Sequence, residues 1–201
     1  MLAIIEAAGW PIWTIILASI LALAIIGERL VSLRTALVAP KELLPQVVQE
    51  FKQKGASAEL VARLGQGPLL GRVFAAGLRN VGSSREVMKE AIEEAGRAAS
   101  YELERFLNSL GTIAYISPLL GLFGTVIGMV EIFSALTPAN ADPSKLAHGI
   151  SVALYNTAMG LVVAIPSMIF YRYFRGKVDS LVMEMEQEAI KLVEIIHGDR
   201  K

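Results

Sequence analysis

Apolar residues in this chain run together instead of alternating or recurring on one face. Ala7 to Gly27, Phe106 to Val130 and Leu146 to Tyr171 contain no Asp, Glu, Lys or Arg. Each run is long enough, at about 1.5 Å per residue, for a helix to cross a hydrocarbon core of roughly 30 Å. The pattern predicts an all-α integral membrane protein with three transmembrane helices. The second and third runs differ from the first in holding Ser117, Thr125, Ser151, Asn156 and Thr157 among many glycines and alanines. A purely lipid-facing span is mostly Leu, Ile, Val and Phe, so these two helices are expected to face each other or an aqueous path.

Between the runs the periodicity changes. The stretch from Glu28 to Arg105 mixes acids with bases and is punctuated at Pro40, Pro45, Gly55, Gly65 to Pro68 and Gly82, which predicts several short helices and no separate enzyme domain. Ser83-Ser84-Arg85-Glu86 has capping-box spacing ahead of a strongly helix-forming segment. With no proline before Pro118, that helix is expected to run straight into the second span, reaching roughly 75 Å from Ser84 to Ser134 and projecting far from the membrane. Beyond the third span, Leu181, Met185, Glu188, Leu192 and Ile195 share one face at three-to-four spacing; the expectation is a helix packed on the other helices of its own chain. The resulting organisation is an N-terminal interfacial segment and first span over 1–29, a cytoplasmic helical region over 30–105, a second span over 106–135, a short periplasmic loop over 136–147, a third span over 148–174 and a cytoplasmic C-terminal helix over 175–201.

Charge sets the orientation. Formal net charge is +0, which gives no ground for a nucleic-acid partner. Twelve Lys and Arg lie between the first and second spans, and Arg172, Arg175 and Lys177 follow the third. The connection between the second and third spans has only Lys145, and the residues ahead of the first span have none. By the positive-inside rule the N-terminus is outside and the long connection and C-terminus are cytoplasmic. Met1 to Ala8 carries Glu6 and no basic residue, so a cleaved signal peptide is a poor reading and the first span is expected to be permanent. That segment is expected to lie as an interfacial helix, with Trp10 and Trp13 at headgroup level. The absence of cysteine removes disulfides, iron–sulfur clusters and thiol nucleophiles. His148 and His197 are too far apart in sequence to suggest a metal site, and no cofactor is expected.

Two segments carry candidate function. Ser117-Pro118-Leu-Leu-Gly121-Leu-Phe-Gly124-Thr125-Val-Ile-Gly128-Met129 holds closely spaced glycines inside an apolar helix but lacks the Lys-Ser/Thr ending of a phosphate loop. It reads as close helix packing through Gly121, Gly124 and Gly128, with Pro118 freeing a backbone carbonyl. The third span, Gly149-Ile-Ser151 through Thr157, Gly160, Pro166 and Ser167, adds a second small-residue face and a second proline. Ser151 and Ser167 have the ordinary alternative of bonding to their own backbone carbonyls. Ionisable groups at membrane depth are costly and mark ion paths, yet Glu131 and His148 lie only near the outer ends. If protons move through this protein, the titrating carboxylate must come from another chain.

At these segments the sequence resembles the ExbB/TolQ/MotA proton-channel family, most closely its ExbB and TolQ branch. Ser117 to Met129 and Ile150 to Pro166 carry the likeness, supported by three spans and a large first cytoplasmic loop. The resemblance implies a homopentamer in the bacterial inner membrane, whose second and third helices line a pore holding the single helices of an ExbD- or TolR-like dimer. The partner's membrane Asp would carry the proton. Thr125 and Thr157 match the family's pore-facing threonines, and Ser151 is a further candidate for the path. Ion flow would energise a TonB- or TolA-like periplasm-spanning protein, with no covalent catalysis. Where relatives often carry Glu, this chain has Val152, which argues against a relay through that helix. The rival expectation is a membrane scaffold that oligomerises through the same glycines and transports nothing.

Overall fold

The computed structural model describes residues 9–134 and 143–198. Among these the chain forms eight helices and no strand: α1 Pro11–Ser32, α2 Thr35–Val38, α3 Leu43–Lys54, α4 Ala58–Gly65, α5 Leu69–Arg79, α6 Arg85–Leu103, α7 Leu107–Ser134 and α8 Pro143–Ile196. Stretches within α1, α7 and α8 are long and apolar enough to cross a membrane. The interfacial helix expected over Met1 to Ala8 lies outside the described residues, as do residues 136–142 of the expected outer loop. The chain is already helical at Pro143.

Two compact units divide the described residues. The first comprises 9–28, 106–134 and 143–173, and holds the three apolar stretches. The second comprises 29–105 and 174–198.

The second unit is organised around large aliphatic and aromatic side chains. Leu60, Leu70, Phe74, Leu78 and Met88 are buried on α4, α5 and α6. On α8, Phe174, Val178, Leu181, Met185 and Leu192 are buried at three-to-four spacing. Fully burying one such side chain stabilises by about 1.5–3 kcal/mol. Of the face expected from Leu181 to Ile195, Leu181, Met185 and Leu192 are core residues, while Glu188 is half-buried and accepts from Lys191 Nζ at 2.6 Å. The face therefore packs within its own chain. α5 approaches α6 at Gly77, where an added Cβ would lie 2.8 Å from Ile92 Cδ1. Arg29 is 5 % exposed, and its guanidinium donates to the Leu103 carbonyl at 3.1 Å, satisfying an acceptor at the C-terminal end of α6.

Local signals start the shorter helices. Ser57 Oγ accepts from Leu60 N–H at the start of α4, and Ser84 Oγ accepts from Val87 N–H at the start of α6. The cap of α6 is thus Ser84, one residue later than the Ser83 to Glu86 spacing suggests, which puts Glu86 at the second helical position. Its carboxyl is held below the ordinary carboxylate range, chiefly by its own backbone N–H, then by the Ser84 hydroxyl, with Lys89 and Arg85 adding smaller effects.

The straight helix expected from Ser84 to Ser134 is interrupted. α6 ends at Leu103, Glu104 to Phe106 form a turn, and α7 starts at Leu107. Phe106 has φ 63°, in the left-handed region that an L-residue other than Gly adopts only at a steric cost. Glycine at this position would remove that cost.

Candidate functional site: the α7–α8 seam

Within the first unit α7 and α8 run antiparallel, as the order of close approaches along them shows. Gly111 lies against Tyr171, Gly121 against Asn156, Thr157 and Gly160, Gly128 against Ala153, and Gly149 against Ile132. The approach is tightest at the middle. A Cβ on Gly160 would sit 2.5 Å from the Ser117 carbonyl oxygen and 3.1 Å from Gly121 Cα, and one on Gly121 would sit 2.7 Å from the Asn156 carbonyl oxygen. These neighbours are backbone atoms that cannot swing aside. Two helices approach this closely where at least one of them carries no side chain at the contact, the role small residues play in lipid.

The two prolines lie inside α7 and α8, at Pro118 and Pro166. Each has a serine beside it. Ser117 is fully buried and donates to the Ile113 carbonyl at 2.7 Å; Ser167 is likewise buried and donates to the Val163 carbonyl at 2.7 Å. Both hydroxyls thus satisfy themselves within the preceding turn. Ser151 does the same, donating to the Ala147 carbonyl at 2.9 Å from an exposed position. The structure does not bring Ser151 to the two threonines.

Those threonines do meet. Thr125 Oγ1 and Thr157 Oγ1 are 2.5 Å apart, a short hydroxyl–hydroxyl bond across the seam. Thr125 Oγ1 also lies 3.1 Å from the Gly121 carbonyl on its own helix and 3.2 Å from the Ala153 carbonyl on α8. A hydroxyl has one proton and two lone pairs. If Thr125 donates to either carbonyl, Thr157 is the donor in the pair and retains its own lone pairs for another proton. Both threonines are half-buried. The α7 sequence from Leu107 to Val130 and the α8 sequence from Leu146 to Tyr171 hold no Asp, Glu, Lys or Arg, so apart from His148 near the start of α8 the polar side chains there are hydroxyls and amides.

Asn156 is central to the seam although the sequence placed it neither on the path nor among the packing residues. It is 1 % exposed, and its side chain packs where a Cβ on Gly124 would lie 2.8 Å from Asn156 Cβ. The signal that could have found it is one amide beside Thr157 in an otherwise apolar helix. The small-residue faces expected to pack neighbouring subunits are used inside the chain. Gly121, Gly124, Gly128 and Gly160 all face the opposite helix of the same chain, so these glycines give no ground for contacts between copies. Among the described residues no three His, Cys, Asp or Glu side chains are grouped to hold a metal ion.

Residues 67–187, which contain α7 and the part of α8 that forms the seam, match the MotA/TolQ/ExbB proton channel family. The chain belongs to that family. It is similar to an ExbB homolog of Methanothermobacter thermautotrophicus, 36% identical over 71% of this chain and 52% of that protein. It is also similar to the biopolymer transport protein exbB1 of Vibrio cholerae, 31% identical over 80% of this chain and 72% of that protein. The Tol-Pal system protein TolQ of Pseudomonas aeruginosa is 29% identical over 92% of this chain and 85% of its own length. The chain spans about half the length of the first of these relatives and most of the other two. With the family and the three apolar stretches together, this is a membrane protein.

Proposed function

We propose that this chain is the channel subunit of an ion-driven motor of the Ton or Tol type. It resides in the inner membrane with its N-terminus outside and its C-terminus in the cytoplasm. Five copies surround a dimer of an ExbD- or TolR-like single-span partner whose membrane Asp carries the proton. The movement that proton flow drives is passed to a TonB- or TolA-like protein that spans the periplasm. Lipid surrounds the ring, and no covalent chemistry is performed.

The observation that carries this reading is the Thr125–Thr157 bond at 2.5 Å inside stretches of α7 and α8 that hold no Asp, Glu, Lys or Arg. A hydroxyl pair at membrane depth can solvate a proton shared with a neighbouring carboxylate but cannot hold it as a charge of its own. It therefore suits a stator wall that positions a partner's acid. The orientation rests on twelve Lys and Arg in the long connection against one in the short connection. A scaffold without transport is less well supported, because the glycines it would use for oligomerisation lie against the opposite helix of the same chain.

The test is the double variant Thr125→Val, Thr157→Val. Shape is nearly kept and the hydroxyls are lost, so the assembled complex should form in normal yield while energised uptake or envelope integrity falls about a hundredfold or more, in line with the usual weight of a positioned proton-transfer group. Unchanged activity would remove the threonines from the path. Loss of the assembly would make them packing residues.

A further inference from the structure

Glu131 and His148 stand seventeen positions apart in sequence, near the ends of different helices, and the fold brings them to the same cavity. This cavity of about 270 Å³ opens between α7 and α8 beside Gly9 and Pro11 at the start of α1. Glu131 and His148 line it and are exposed, while Asn156 lines it and is 1 % exposed, so the cavity runs from a titratable mouth to a buried amide. Its volume holds several waters, given the roughly 30 Å³ one occupies in the liquid. Two other lining residues, Gly124 and Asn156, directly precede Thr125 and Thr157 in the chain, and a third, Ala153, offers the carbonyl that Thr125 Oγ1 approaches at 3.2 Å. The lining therefore stops one residue short of each threonine, with the Ala153 backbone between the cavity and Thr125 Oγ1.

From this juxtaposition we infer that the cavity is a hydrated vestibule through which each subunit collects protons for the threonine pair, with His148 and Glu131 as its acceptors at the mouth. The inference rests on the proposed function and names residues for its uptake side. Among the described residues, Glu131 on α7 and His148 on α8 are the titratable groups lining the cavity, and the α1 side contributes Gly9 and Pro11, which carry no side-chain charge. An imidazole on one helix and a carboxylate on the other give the cavity two proton acceptors. The step is proton transfer alone. A hydronium outside loses a proton to the imidazole or the carboxylate, which passes it to cavity water, and the water chain moves it toward Asn156 and the threonine hydroxyls; each O–H or N–H bond broken is matched by one formed.

The inference is tested on the full complex, this chain with its single-span partner, reconstituted in liposomes. His148→Gln with Glu131→Gln should lower proton flux about tenfold with the outer face at pH 7.5, where free protons are scarce, and leave it nearly unchanged at pH 5.5, since a positioned proton acceptor matters most when direct delivery is slow. Equal flux to wild type at both pH values would overturn it, and so would an equal loss at both, which would indicate a structural fault. Because the chain contains no cysteine, Val152→Cys in the cavity wall gives an independent reading. A small charged thiol reagent added outside should modify Val152→Cys at least tenfold faster than Val126→Cys, which is exposed on α7 but does not line the cavity. Equal rates would mean that no water reaches the wall. If the wild-type complex carries no protons while Val152→Cys is modified rapidly, the motor assignment fails and the vestibule survives as a hydrated cavity. Wild-type flux with slow modification of Val152→Cys would instead overturn the vestibule and leave the motor assignment standing.

Discussion

Both units of this chain bury large apolar side chains, but the tightest backbone approaches between helices lie in the unit with the seam. In the unit containing residues 174–198, Phe174, Leu181 and Leu192 are almost completely buried and stand on one helical face. In the unit containing the seam, the closest backbone approaches belong to Gly121 and Gly160, which have no side chains. The difference follows from the solvent. Water drives large apolar side chains together, whereas lipid tails are as apolar as leucine and give no such drive. What remains in the membrane is dispersion between surfaces that fit, and backbones come closest where nothing projects. The same arrangement lets Ser117, Thr125, Asn156 and Thr157 share the seam, since short polar side chains fit between helices that glycine has drawn together.

Substitutions can break the comparison. Gly160→Leu should be the most damaging, because even its Cβ would lie 2.5 Å from the Ser117 carbonyl; separating the helices should cost about 3 kcal/mol or more. Thermal unfolding in detergent should show the membrane unit lost while Leu181 and its neighbours stay protected from hydrogen exchange. Leu181→Ala should do the reverse, destabilising the other unit by about 2–5 kcal/mol through the cavity it leaves, with the threonine pair undisturbed. The smallest effect should come from Gly96→Ala on α6, where an added Cβ meets nothing within 4 Å. There alanine should stabilise by about 0.5–1 kcal/mol through helix propensity, seen as a small rise in the melting midpoint. A large loss from Gly96→Ala, or a neutral Gly160→Leu, would undo the contrast.

Much of this was legible in the sequence, unevenly. The three charge-free runs follow directly from hydrocarbon thickness, and the glycines of the second span announce close packing. Their target was not legible, since a small-residue face fits a neighbouring copy as well as the next helix. The turn at Glu104 to Phe106 gave no warning, because it contains no Gly, Pro or Asn. The cap on α6 was misplaced by one residue because two serines stand side by side. Thr125 and Thr157 came from family resemblance, while the geometry added their direct bond and the buried Asn156 between them and the mouth. Glu131 and His148 looked like unrelated interfacial residues until α7 and α8 were paired.

In the proposed motor this chain supplies the wall and another chain supplies the proton-carrying acid. That division of labour is tested most directly by proton flux into liposomes under an imposed potential, followed with a pH dye, for this protein alone and together with its single-span partner. Flux should be negligible for this protein alone, flux or coupled work should appear when the partner is present, and it should be lost when the partner's membrane Asp is changed to Asn. Robust flux through this protein alone would contradict it.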